Sequence, residues 1–81
     1  MSVEDITRRV DAALASVFKI DVHDVPIDMS HDTHAEWDSA AYLTVVLAVE
    51  EQFGVQFTPE EIENAMGREK LIAVLDRRLA G

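Results

Sequence analysis

Apolar residues recur near the start of the chain at Ile6, Val10, Ala13, Leu14, Val17 and Phe18. Steps of three and four place them on one face of a helix, predicted over Val3 to Phe18. Ser2 with Asp5 three residues later approximates a capping box, with Asp in place of the usual Glu. Glu4 with Arg8 and Asp5 with Arg9 form acid-first pairs four apart, each contributing roughly 0.2–0.5 kcal/mol on a helix surface.

The pattern then changes. "KIDVHDVPIDMSHDTHAEWD", residues 19–38, alternates apolar and polar in places, but Pro26 interrupts it, and a lone two-stranded hairpin is marginal. The segment is expected to be a long loop held to the core by Val25 or Ile27, with at most one short helical turn. Connections of this length inside a compact domain are usually functional. A second helix follows over Ser39 to Phe53, opened by Asp38 or Ser39 and closed by Gly54, which can adopt the left-handed conformation. "TPEEIENAM" starts a third helix, with Thr58 as cap, Pro59 at the first helical position and Glu61 completing a capping box. It should run about two turns. A fourth extends from about Arg68 to Leu79, with Leu71, Leu75 and Leu79 on one face beside Ile72. Arg77 and Arg78 in its last turn complement the helix dipole. The fold class is therefore all-α. It is a small four-helix bundle with a long first loop and a short third helix, formed by residues 1–81 as one domain.

The second helix holds more apolar residues than one buried face needs. Tyr42, Val45, Val46, Val49 and Phe53 share the face that should point inward. Ala40, Thr44, Leu47 and Glu51 fall on the opposite side, and Glu50 lies beside Glu51. Single exposed leucines are common and need no explanation. An apolar anchor ringed by acids also suits a docking stripe beside Ser39.

Composition narrows the classes. The chain has 81 residues, which leave room for one core. A chain of this size buries only about 60% of its unfolded surface. With 48% apolar and 28% charged residues it is ordinary for a globular fold. Sixteen acidic against seven basic residues give a net charge of −9. That disfavours nucleic acid and anionic membrane as partners and favours a protein with a basic surface. There is no cysteine, hence no disulfide, thiolate metal site or cysteine nucleophile. "MSVEDITRRV" is too charged for a secretory signal, and the uncharged run Ser39 to Val49 is short of the ~20 residues of a membrane span. The expectation is a soluble, cytoplasmic monomer.

Within this frame the residues around Ser39 resemble the acyl carrier protein family. Asp38 and Ser39 open a helix that ends in "AVEEQFGVQF" and leads into a short acidic helix. The resemblance covers almost the whole chain, including the four helices, the long first loop and the acidic balance. In that family the serine of an Asp-Ser-Leu motif is esterified with 4′-phosphopantetheine from coenzyme A, and the arm's terminal thiol carries acyl groups as thioesters. The resemblance implies that Ser39 is the attachment residue, with Asp38 beside it. It also implies a carrier rather than an enzyme, and the cofactor's own thiol accounts for a chain without cysteine. A phosphopantetheinyl transferase would be one partner. Acyl-loading ligases or synthetases and biosynthetic enzymes with basic docking surfaces, from fatty acid, polyketide or related pathways, would be others. They would meet Ala40, Thr44, Leu47, Glu50 and Glu51. One departure from the family is plain: Ala40 stands where leucine is usual.

Other readings stay open on the residues alone. Ser39 at a helix start is by default a cap. Trp37 is a loop anchor. "HDTH", with His31, Asp32 and His34, lacks the four ligands of a structural metal site, so no metal is expected. "DVHDVPID" lacks the central glycine and terminal glutamate of a calcium loop. An aminoacyl or peptidyl carrier, an unmodified scaffold and a non-covalent acidic binding module resembling bacteriocin immunity proteins also fit the size and charge.

Overall fold

The computed structural model describes residues 2–30 and 37–80, with Ser39 and Ala80 as backbone alone. The described residues form four α-helices, α1 (Val3–Phe18), α2 (Ser39–Phe53), α3 (Pro59–Glu63) and α4 (Arg68–Ala80). The all-α bundle expected from the periodicity is what forms.

The start of α1 is capped by Ser2, whose hydroxyl accepts the Asp5 amide at 3.2 Å. Its end is made by Lys19 in the left-handed conformation (φ 57°), a position where glycine is more usual. The two side-chain pairs expected on its surface are replaced. Arg8 turns to Asp5 rather than Glu4, and the Arg9 guanidinium lies 5.9 Å from the centre of the Phe53 ring. That second contact ties α1 to the end of α2 through a cation–π attraction.

Asp21 caps a single 3-10 turn, Val22–Asp24, inside the long loop. Of the two residues expected to hold this loop, Val25 packs against the core, whereas Ile27 is 71% exposed. The deeper anchors are Met29 and Trp37, both buried. Backbone bonds reinforce them: the Arg68 amide donates to Met29 O at 2.9 Å, and Ser30 pairs with Gly67 in an isolated antiparallel bridge. Gly67 allows this close approach, since a Cβ there would lie 3.1 Å from Ser30 Cβ and crowd it. Arg68 completes the fastening from α4, with Nε and Nη2 on the two Asp11 carboxylate oxygens at 2.6 and 3.0 Å.

The core collects Ile6, Val10 and Leu14 of α1, Tyr42, Val45, Val46 and Val49 of α2, and Leu71 and Leu75 of α4. The short α3 adds little burial of its own. It extends only over Pro59–Glu63 rather than two turns, because the chain turns at Asn64 and drives Ala65 into the core.

Candidate functional site

Asp38, not Ser39, caps α2. Its backbone is extended, its carboxylate Oδ1 accepts the Ala41 amide at 2.8 Å, and its carbonyl accepts the Tyr42 amide at 2.8 Å. Ser39 is thus the first helical residue, and the capping role falls to its neighbour. Asp38 and Ala40 on either side are exposed. Position 39 lies at the end of a helix whose first N–H groups lack intrahelical acceptors and favour an anion.

The inward side of this helix start is aromatic. Trp37 is 0% exposed, with its ring centroid 5.7 Å from Phe18 and 6.1 Å from Tyr42. The Tyr42 hydroxyl donates to the Ile62 carbonyl, so the first turn of α2 is joined to α3. Burial pushes the Tyr42 hydroxyl up to about 12, which keeps it protonated and donating at neutral pH.

Along the outward side, Ala40, Thr44, Leu47 and Glu51 are all exposed, Leu47 at 65%. The structure adds Leu43, which is 57% exposed at the edge of this side. Its spacing of three from Ala40 and four from Leu47 is the signal in the sequence that marks it. Glu50 behaves differently from Glu51. It is half-buried, and its Oε2 accepts the Phe57 amide at 2.7 Å, closing the turn between α2 and α3.

A net charge of −9 conceals a strong segregation. All seven Lys and Arg residues fall outside residues 20–67, while eleven of the sixteen acids fall inside that span. The segment holding Asp38, α2 and α3 is therefore acidic throughout, and the cations sit on α1, at its end, and on α4. Among the described residues no group of three or more His, Asp or Glu could hold a metal ion. "HDTH", residues 31–34, lies outside the described residues. No helix among the described residues is long and apolar enough to cross a membrane.

Residues 8–74 match the PP-binding family, described as the phosphopantetheine attachment site. The chain belongs to this family. It is a phosphopantetheine carrier protein, a non-catalytic domain that carries 4′-phosphopantetheine covalently and works with a phosphopantetheinyl transferase and biosynthetic enzymes. No curated protein matches the chain. The residues present fit such a cofactor, since the carrier places a capped, exposed helix start within the matched span.

Proposed function

We propose that Ser39 is the phosphopantetheine attachment residue and that this carrier holds acyl intermediates for cytoplasmic enzymes of fatty acid, polyketide or related biosynthesis. The observation that supports it is the placement of Ser39 as the first residue of α2, next to the Asp38 cap and between exposed neighbours. In the loading reaction the Ser39 hydroxyl attacks the β-phosphorus of coenzyme A. A phosphodiester forms, adenosine 3′,5′-bisphosphate leaves, and the hydroxyl proton passes to a base of the transferase. The bound arm then supplies a terminal thiol for thioester formation. The helix N-terminus would favour the negative charge of a phosphodiester on Ser39. Asp38 holds the Ala41 amide for itself, and its like charge would repel a phosphodiester beside it.

Partners dock on Ala40, Leu43, Thr44, Leu47 and Glu51, the leucines filling an apolar depression and Glu51 meeting Lys or Arg. Glu50 contributes charge from behind, with its carboxylate fixed to Phe57. The family match favours this reading over an immunity-protein-like binding module, and the unmodified scaffold is separated from it by experiment. Incubation with coenzyme A and a broad-specificity transferase should add one phosphopantetheine mass to the intact protein, and Ser39→Ala should gain none. A gain in the variant would move the site elsewhere, and no gain in the wild type with several transferases would favour the scaffold.

A further inference from the structure

We infer that residues 25–30 are a strap that opens and closes while the helices stay packed, and that the Asp11–Arg68 ion pair is its latch. The inference concerns the loop and the start of α4, and it does not rest on attachment at Ser39.

A segment opens on its own when it buries little apolar surface and its backbone bonds can pass to water. Residues 25–30 have both properties. Met29 is buried and Val25 partly so, whereas Ile27 is 71% exposed, the most of any large apolar side chain among the described residues. A turn orders the strap internally, with the Met29 amide donating to the Pro26 carbonyl at 3.2 Å. The helices behind it are held by other residues. Val10, Leu14, Val45, Val49, Leu71 and Leu75 are fully buried among α1, α2 and α4, and none of them belongs to the strap.

The tie between strap and bundle converges on Arg68. Its amide, the first of α4, donates to Met29 O at 2.9 Å, and its Nη1 donates to Ile27 O at 3.4 Å. An amide at a helix start has no intrahelical acceptor, so water can take the place of Met29 O when the strap leaves. Exchanging one partner for another in this way costs little. The guanidinium is held differently. Its two-pronged, charge-assisted grip on Asp11 is largely shielded from solvent, with the Arg68 side chain 12% and the Asp11 side chain 19% exposed. Shielding makes such a pair stronger than one on the open surface. Asp11 therefore acts on the strap at one remove, by fixing the side chain whose amide and Nη1 hold it. Open and closed forms share the outward side of α2 and differ at the loop, so a partner that binds one form selects it.

The test is amide exchange of the intact chain at urea concentrations below its unfolding transition. Strap opening exposes little surface. The Met29 and Arg68 amides should therefore exchange faster than those of Val10 and Val49, with a much weaker urea dependence. Asp11→Asn should speed exchange at positions 29 and 68 roughly tenfold, the effect expected of one charge-assisted hydrogen bond, and leave their urea dependence weak. Arg68→Gln should do the same, and the double variant should add little to either single one. Equal rates and equal urea slopes at all four amides of the wild type would mean that the strap opens only with the whole fold, and would overturn the inference whatever the variants do. Unchanged exchange at positions 29 and 68 in Asp11→Asn would remove the ion pair as the latch.

Discussion

Asp38 and Ala40 flank position 39 with different tasks, and single substitutions separate them. Asp38 supplies the cap, so Asp38→Ala should cost about 0.5–2 kcal/mol. Thermal unfolding should register this as a drop of roughly 4–8 °C for each kcal/mol lost. Ser39→Ala should leave the midpoint nearly unchanged, because the cap is its neighbour. Ala40 is exposed. It lacks the three carbons of the family's usual leucine, each contributing roughly 0.8 kcal/mol if fully buried against a transferase. With partial burial the deficit is about 1–2 kcal/mol, or roughly five- to thirtyfold in modification rate. Ala40→Leu should therefore be modified faster by a general transferase and should remain folded. Equal rates in a mass-detected time course would make Ala40 a neutral difference. At this scale the sequence shows Asp38 and Ser39 as a pair but not which of them caps, since both types are good caps and the choice depends on backbone angles. Leu43 lies between the inward and outward sets by helical angle, and its exposure is decided by what packs beside it rather than by its spacing alone.

The element with the weakest internal means is α3. Five residues do not hold a helix in water, so its stability comes from its ends and neighbours. The Thr58 amide donates to Glu61 Oε1 at 2.9 Å, the Glu61 amide to Thr58 Oγ1 at 3.1 Å, and Arg78 reaches Glu61 from α4 at 2.6 Å. The bond from the Thr58 backbone, and then Arg78, hold the Glu61 carboxyl below the usual glutamate range against some desolvation. A carboxyl whose folded pKa is depressed stabilises fully above its unfolded pKa. That contribution declines as pH falls below the unfolded value and is gone below the folded one. Amide exchange at Thr58 and Glu61, corrected for its intrinsic pH dependence, should therefore lose protection on acidification through the glutamate range. Glu61→Gln should show a weaker dependence there, and identical pH profiles in the two proteins would remove Glu61 from this account. The start of α3 is legible because Thr58, Pro59 and Glu61 are local signals. Its length is not, because the turn at Asn64 is driven by burial of Ala65 among residues remote in sequence. The long loop repeats the lesson: alternation marks Val25 and Ile27 alike, and only packing leaves Ile27 in solvent.

Across the molecule, charge is divided between an acidic middle of the chain and cationic flanks on α1 and α4. A basic partner is thus steered toward the segment that holds the site, and the steering fades as the screening length falls to about 8 Å at physiological ionic strength. Glu51→Lys should slow association with a cognate transferase and flatten the salt dependence of its rate, whereas Leu47→Ala should mainly speed dissociation. Stopped-flow or surface-based kinetics at low and physiological salt separate the two. Unchanged rates in both variants would remove the outward side of α2 as the docking face. Net charge alone points to a basic partner, but the direction of approach depends on where along the chain the cations stop.

The fastening of the long loop also sets an order of events during synthesis. Arg68 joins Asp11 across 57 positions of sequence, and its amide binds the Met29 carbonyl. A growing polypeptide emerges from the ribosome with Asp11, the loop and position 39 in view well before Arg68 follows. During that interval the stretch around Met29 and Ser30 lacks its clasp. A chain that ends ahead of residue 68 therefore has neither the Asp11 ion pair nor the Met29 bond, and the loop around Met29 is fastened only once α4 has docked.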